Sequence, residues 1–151
     1  MRSRHFINRR FQKRNRHRFA CFSSVKGKFV GLTLLTGLDD VVTLFFFAID
    51  DNLRGHGYGT EVLTALKDKY DGKRIFICIE PIEKDAPNYK QRVKRKAFYK
   101  KNGFKVMPFQ VKEAGVTYDI MSVGGDVTFK EYERITKRFF GRVLYFFIKR
   151  F

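Results

Sequence analysis

The stretch Asp50–Tyr70, D-D-N-L-R-G-H-G-Y-G-T-E-V-L-T-A-L-K-D-K-Y, decides the fold of this chain. Before it, Val41–Ile49 (V-V-T-L-F-F-F-A-I) is rich in β-branched and aromatic residues and carries no charge, which predicts a buried strand. Beyond the glycines, apolar residues recur at the spacing of one helix face, at Val62, Leu63, Leu66 and Tyr70. The predicted order is therefore buried strand, glycine loop and amphipathic helix.

The glycine loop is a candidate anion site. It consists of Arg54, Gly55, His56, Gly57, Tyr58, Gly59 and Thr60. Glycines let backbone N–H groups approach an anion, and the start of a helix adds partial positive charge. The loop lacks the Gly-Lys-Ser/Thr ending of a nucleoside-triphosphatase loop and the glycine spacing of the dinucleotide fingerprint. A tight strand-to-helix turn without a ligand is the alternative.

Length and composition predict one globular domain over residues 1–151, with a core rich in the 18 Phe residues. Cys21 and Cys78 have neither metal-ligand nor redox spacing. We therefore expect no metal site, and both cysteines to be small core residues in a reducing cytoplasm. No apolar segment reaches the roughly 20 residues of a membrane-spanning helix, so we expect a soluble protein.

The formal net charge of +17 is concentrated near the N-terminus. Residues 1–38 contain ten Lys or Arg and no acid, since Asp39 is the first carboxylate. Such a segment attracts polyanions, whether nucleic acid, anionic lipid or a phosphorylated cofactor. Residues 1–18 are predicted to be a solvated basic arm or a short amphipathic helix, because Ile7 and Phe11 are four apart.

The rest of the chain predicts a mixed α/β fold of the α+β type, with a mostly antiparallel sheet. Further strands are expected at Phe19–Phe22, Lys28–Leu35, Arg74–Glu80, Phe104–Lys112 and Val116–Val123. The strands before and after the Asp50–Tyr70 unit should form one parallel, splayed pair joined by a crossover helix. A C-terminal helical extension, residues 128–151, should begin with a capping box of Thr128 and Glu131.

A second helix is predicted from the N-cap residue Asn88 to a stop at Asn102-Gly103. One of its faces carries Asn88, Arg92, Arg95 and Tyr99. Val93 and Ala97 lie on another stripe and are expected to face the core. Lys96 is expected in solvent or at a cofactor phosphate. Glu80 ends the preceding strand, at the sheet edge where ligands usually bind in open α/β sheets.

These residues resemble the GNAT superfamily of N-acetyltransferases. The C-terminal segment G-G-D-V-T-F-K-E-Y also resembles a bacterial subgroup of that family. The resemblance covers about Phe29–Val123 and is carried by Arg-x-x-Gly-x-Gly at the loop and by R-K-A-F-Y-K-K-N-G-F at Arg95–Phe104. It implies acetyl-CoA as cosubstrate, with the loop amides on its pyrophosphate and the pantetheine arm along the strand end. The implied cofactor-binding residues are Phe47, Ala48, Ile49, Arg54, Gly55, His56, Gly57, Tyr58, Gly59, Thr60, Asn88 and Arg95.

The chemistry of acetyl transfer suggests roles for the site residues. A thioester and an amine need a polarised carbonyl, a neutral amine and a protonated leaving thiolate. A backbone N–H of a bulged strand around Phe47–Ile49 can stabilise the oxyanion, and the Tyr99 phenol can protonate the thiolate. Glu80 can accept the amine proton, directly or through water, with Glu83 as a nearby substitute. Thr43 occupies the position where another subset of the family carries its base.

The N-terminus departs from the family pattern, in which a strand and two helices build the acceptor pocket. Here only about 18 mostly basic residues precede the first Phe-rich strand. The acceptor side, for a small-molecule or peptide amine, is thus expected to be abbreviated, open or completed by a second subunit in a homodimer. The alternative function is a non-catalytic module that binds coenzyme A, or nucleic acid through the basic N-terminus.

Overall fold

The computed structural model describes residues 7–8, 18–25 and 27–150, with side chains for 27–141 and 144–146. The chain divides into two compact units, residues 1–73 and 74–151. The single domain expected from the length stays a prediction. Most of the predicted basic arm lies outside the described residues. Ile7 and Asn8 form a short strand, so this part of the arm is extended and the helical alternative is wrong there.

The first unit is an antiparallel meander followed by a helix. Its elements are β1 (Ile7–Asn8), β2 (Arg18–Val25), β3 (Lys28–Leu38), β4 (Val41–Ile49), a 3-10 turn (Asp51–Leu53) and α1 (Tyr58–Lys69). The strands pair in chain order, each antiparallel to the next. The helix buries Val62, Leu63 and Leu66, as their spacing predicts.

A β-bulge interrupts β4 in its middle. Leu34 of β3 lies opposite Phe46, but Leu35 lies opposite Leu44, so Phe45 is the extra residue. The first four residues of β4 are buried, whereas Phe45 and Phe46 are both exposed. The bulge confirms that β4 is irregular. It lies just before the Phe47–Ile49 stretch in which it was expected.

The second unit combines three antiparallel strands with two helices. Its elements are β5 (Arg74–Ile79), α2 (Tyr89–Lys101), β6 (Lys105–Glu113), β7 (Val116–Val123) and α3 (Phe129–Arg150). β7 lies between β5 and β6 and pairs antiparallel with both. Ala114 and Gly115 join β6 to β7 at φ 47° and 80°, as a two-residue hairpin requires. α3 is broken at Gly141, which has φ 77° and ψ 163°.

The capping box predicted for α3 is confirmed. The Thr128 N–H donates to Glu131 Oε2 at 2.8 Å, and the Glu131 N–H donates to Thr128 Oγ1 at 3.3 Å. Arg74 at the start of β5 also pairs with Glu131, at 2.6 Å from Nη2 to Oε1. The start of α3 is therefore tied to β5. Among the helices of the described residues, none is both long and apolar enough to cross a membrane.

The face that α2 buries differs from the prediction. Val93 is 36% exposed and Ala97 is also exposed, whereas Tyr99 is buried. The inward face carries Arg92, Lys96 and Tyr99 instead of the apolar pair. The spacing of Val93 and Ala97 was misleading, because carboxylates of other elements neutralise the inward-facing cations and so make their burial tolerable.

Candidate functional site

The glycine loop of the first unit adopts left-handed backbone at two positions. Gly55 has φ 80° and Gly57 has φ 85°. A Cβ at either position would meet no atom within 4 Å, so backbone conformation rather than packing requires glycine here. Gly57 is also the N-cap of α1, and no side chain caps this helix.

Unsatisfied backbone donors line this loop. Among the described residues, the N–H groups of Gly55, His56 and Gly57 have no hydrogen-bond acceptor. Tyr58 and Gly59 follow in the first turn of α1, where helix geometry leaves N–H groups without an intrahelical partner. Such a run of donors at a helix start, with the exposed Thr60 in the same turn, is suited to an anion.

Two side chains of the loop brace it. Arg54 Nε donates to the Ile49 carbonyl oxygen at 3.2 Å, and Arg54 Nη2 lies 2.6 Å from Asp51 Oδ1. The His56 ring lies with Nδ1 2.9 Å from the Arg54 carbonyl oxygen. A carbonyl can only accept, so Nδ1 carries the proton in this arrangement. Arg54 therefore ties the loop to the end of β4, and its contact with a cofactor stays a prediction.

The end of β4 lies very close to β3. Gly31 is opposite Ile49, and a Cβ at Gly31 would be only 2.2 Å from the Ala48 carbonyl oxygen. Only glycine fits at this distance. Phe47, Ala48 and Ile49, the residues expected along the pantetheine arm, are half-buried here. The glycine therefore sets the path of the strand end that was predicted to hold the cofactor.

In the second unit, the Glu80 carboxylate accepts hydrogen bonds from three side chains of the predicted helix face. Its Oε1 lies 2.9 Å from Arg92 Nη2, and its Oε2 accepts hydrogen bonds from Arg95 at 3.4 Å and from Asn88 at 3.3 Å. Arg92 also pairs with Glu83, at 3.2 Å. The prediction that Asn88, Arg92 and Arg95 share one face is thus confirmed.

Asn88 occupies the N-cap position of α2, but its side chain makes no capping hydrogen bond. Its Oδ1 accepts from Arg92 Nε at 2.7 Å, while its amide nitrogen donates to Glu80. The expected capping role is therefore wrong for the side chain. Hydrogen bonds to ionised groups are about twice as strong as neutral ones, and here they outcompete the cap.

Tyr99 is fixed by the way α2 ends. The Phe104 N–H donates to the Tyr99 carbonyl at 3.0 Å, the Gly103 N–H donates to Lys100 at 3.0 Å, and Gly103 has φ 90°. These two bonds define a Schellman motif, which favours an apolar contact between the residues at its ends. The Tyr99 and Phe104 rings indeed meet edge to face, with centroids 5.4 Å apart. The F-Y-x-x-x-G-F pattern therefore has a local structural cause.

The Tyr99 hydroxyl is buried without a partner. The residue is only 7% exposed, and its hydroxyl has no hydrogen bond to any residue that the structure describes. Burial raises the pKa of Tyr99 to about 12, although the nearby Arg95 charge opposes this shift. The phenol is therefore protonated at neutral pH and has its proton available for an incoming group.

Sequence reasoning missed a partly buried ion pair at Lys96, one helical turn before Tyr99. Lys96 Nζ lies 2.8 Å from Asp119 Oδ2, and Gln110 donates to Asp119 Oδ1 at 2.8 Å. Burial raises the pKa of Asp119, but the Gln110 and Lys96 hydrogen bonds and the Lys96 charge outweigh it and lower the pKa overall. The clue in the sequence was a lone carboxylate between Tyr118 and Ile120 of a strand, because a buried charge needs a partner. Lys96 forms this ion pair, so the expectation that its side chain lies in solvent is wrong.

The comparisons agree with this geometry. Residues 16–106, more than half of the chain, match the model of the acetyltransferase (GNAT) domain. The chain therefore belongs to the GNAT family of acetyltransferases. A search of curated proteins gave no significant match.

Several solved structures share the fold of this chain. A GNAT-family protein from Bacteroides thetaiotaomicron, described as an acetyltransferase, superposes with a TM-score of 0.67 at 20% identity, over 88% of this chain and 76% of its own. An aminoglycoside 6′-N-acetyltransferase complexed with coenzyme A gives 0.55 at 14% identity, over 76% and 77%. A GNAT acetyltransferase from Elizabethkingia anophelis with acetyl-CoA bound gives 0.53 at 13%, over 71% and 76%. The predicted fold class is confirmed.

Proposed function

We propose that this protein is a cytoplasmic acetyl-CoA-dependent N-acyltransferase that moves an acetyl group to a primary amine by direct attack in a ternary complex. One observation carries the mechanism: the buried Tyr99 hydroxyl has no hydrogen-bond partner among the described residues. A buried polar group normally finds a partner, so an unsatisfied one in this family suggests a place for a transient partner. The leaving thiolate of coenzyme A is the partner we propose.

The cosubstrate would be held mainly by backbone. The unsatisfied amides from Gly55 to Gly59 would bind the pyrophosphate, assisted by Thr60 and the start of α1. The strand end Phe47–Ile49 would take the pantetheine arm. Asn88 and Arg95 of α2 are the other cofactor contacts that we propose. Proteins of the same fold that hold coenzyme A or acetyl-CoA support this assignment.

The reaction then needs two proton transfers. The amine nitrogen attacks the thioester carbon while a backbone N–H near the β4 bulge stabilises the oxyanion. The C–S bond breaks, Tyr99 gives its proton to the departing thiolate, and Glu80 takes the proton that the amine loses. Solvent restores the proton of Tyr99 and removes that of Glu80.

Glu80 can still serve as the base despite its ion pairs. A carboxylate has about four lone-pair positions. Three hydrogen bonds, from Arg92, Arg95 and Asn88, occupy part of this capacity. One position on Oε1 is left for an amine or a bridging water. Glu83 is the substitute, since it is more exposed, at 61%, and pairs only with Arg92 among the described residues.

The acceptor we propose is a small-molecule or peptide amine. One protein of the same fold is an aminoglycoside 6′-N-acetyltransferase, an enzyme with an amine acceptor. The proposal can be tested by incubating the purified protein with acetyl-CoA and a panel of amines while free thiol is measured. Thiol release that depends on the amine supports the proposal. A protein that does not bind acetyl-CoA contradicts it, and one that binds without turnover with any amine is instead a non-catalytic module.

A further inference from the structure

The rotation of α2 is not set by an apolar stripe. Tyr99 is its one buried hydrophobic residue, while Val93 is 36% exposed and Ala97 is exposed. A helix normally orients itself by burying its apolar face. Here the inward face is largely cationic, so the orientation of the helix must come from specific polar contacts.

Lys96 makes such a contact one turn before Tyr99. Its Nζ lies 2.8 Å from Asp119 of β7, and the two side chains are only 20% and 10% exposed. Asp119 lies opposite Gln110 in the β6–β7 pairing and accepts its side-chain amide at 2.8 Å. The carboxylate is thus held on one side by the sheet and offers its other oxygen to the helix.

We propose that the Lys96–Asp119 ion pair positions Tyr99 for proton transfer by fixing the rotation of α2 against β7. The two residues act through Tyr99 and touch neither substrate nor reacting atoms. The inference rests on the proposed function, because positioning matters only if Tyr99 is the acid. The Schellman motif sets the position of Tyr99 along the helix axis. The ion pair sets the rotation of the helix about that axis, and with it the direction of the Tyr99 side chain.

A small rotation is enough to matter. Side-chain atoms lie about 5–6 Å from a helix axis, so a turn of about 10–20° moves them by about 1–2 Å. A displacement of about 1 Å can lower a catalytic rate by about 10²-fold. Without the ion pair, burial of Val93 and Ala97 would favour such a rotation.

The test compares variants of the full-length protein in the acetyl-transfer assay. Lys96→Met should lower kcat by about 10- to 100-fold while the KM for acetyl-CoA changes by less than about threefold. Lys96→Arg keeps the ion pair and should recover most of the turnover. Gln110→Ala, a milder change that leaves the ion pair in place, should lower kcat by only a few-fold.

The matched control is the second pair between a strand and a helix of this unit. The Arg74 and Glu131 side chains are 2.6 Å apart and 22% and 32% exposed, and both residues are distant from Tyr99 in the sequence. Arg74→Met should lower the thermal midpoint while kcat stays within about twofold. If Lys96→Met lowers the midpoint as Arg74→Met does and leaves kcat unchanged, the ion pair is merely structural and the positioning role is refuted.

A structural measurement separates this inference from the proposed function. In a crystal structure of Lys96→Met, α2 should be rotated and the edge-to-face contact of Tyr99 with Phe104 altered. If the wild-type protein transfers acetyl to no amine, the proposed function fails, and this structure still decides the positioning role. An unmoved Tyr99 would overturn it. If Lys96→Met does not fold, Asp119→Asn takes its place in both measurements.

Discussion

Removal of the Tyr99 hydroxyl should abolish most turnover without weakening the fold. The Tyr99→Phe variant keeps the ring that packs on Phe104 and loses only the oxygen. Because that oxygen has no hydrogen-bond partner among the described residues, its loss leaves no donor or acceptor unsatisfied there. An unsatisfied buried polar group costs about 1–3 kcal/mol, so the variant should be as stable as the wild type or up to about 1 kcal/mol more stable.

The expected loss of activity follows from the same burial. A pKa of about 12, against the ordinary value of 10.0, means that the phenolate is disfavoured by about 3 kcal/mol at about 1.4 kcal/mol per unit. The phenol therefore stays protonated throughout the pH range of an acetyl-transfer assay. Loss of a general acid lowers kcat by about 10²-fold or more. Thiol release under saturating acetyl-CoA measures this loss.

Tyr132 provides the matched control. It is 1% exposed, and its hydroxyl donates to the Glu113 carboxylate. Tyr132→Phe removes that donor and should lower the free energy of unfolding by about 1–3 kcal/mol, while kcat stays within about twofold. Turnover of Tyr99→Phe equal to the wild type would remove Tyr99 from the mechanism. A stability loss in Tyr99→Phe as large as that in Tyr132→Phe would show that the Tyr99 hydroxyl has a structural partner.

The pH dependence of stability gives a second readout of the same change. The folded-state pKa of Tyr99 is raised, so its contribution to stability is complete below the unfolded pKa of about 10 and is lost as the pH rises through about 12. The wild type should therefore lose about 3 kcal/mol relative to Tyr99→Phe over that interval. Urea titrations of both proteins at pH 9 and near pH 12 measure this difference in the free energy of unfolding. An equal difference at the two pH values would contradict the buried phenol.

Three further substitutions test the other parts of the site. Glu80→Gln should lower kcat by about 10²-fold, whereas Glu83→Gln should leave kcat unchanged; the opposite result would make Glu83 the base. Gly57→Ala forces a side chain into left-handed backbone and should cost about 1–2 kcal/mol, as should Gly72→Ala at φ 74°. Only Gly57→Ala should weaken acetyl-CoA binding, by about tenfold or more in calorimetry. If Gly57→Ala and Gly72→Ala bind acetyl-CoA with equal affinity, the loop amides do not bind the cofactor. Gly31→Ala places a Cβ 2.2 Å from a carbonyl oxygen, so it should separate β3 from β4, lower the thermal midpoint and weaken acetyl-CoA binding; wild-type values for both would contradict the close approach.

The parts of the fold that local rules determine were predictable from the sequence. Val41–Ile49 forms a strand with the expected bounds, and α1 begins at the glycine loop and buries the expected face. The end of α2 belongs to the same group, because its Schellman motif depends only on Gly103 and the residues on either side of it. A candidate acid at Tyr99 could therefore be found without any tertiary information.

The features that depend on distant partners were not predictable in this way. Val93 and Ala97 have the spacing of a core face, yet they are exposed, because Glu80 and Asp119 make the opposite, cationic face the better one to bury. Asn88 has the identity and position of a cap, but Glu80 and Arg92 use its side chain. In each case a charge elsewhere in the chain overrides a neutral local preference.

This contrast explains how the second unit can orient the phenol that we propose as the general acid. Local backbone bonds alone would place Tyr99 at the end of a helix whose rotation is free to follow Val93 and Ala97. We expect the ionic contacts of Arg92, Lys96 and the more exposed Arg95 to oppose that rotation at three positions of α2. Charged pairs are directional, whereas apolar contacts tolerate sliding, so an inward face of ion pairs defines one orientation. The same pairs bring Glu80 to the helix face that carries Tyr99. The proposed acid and base are therefore oriented by one set of contacts, and a change in that set should affect both proton transfers together.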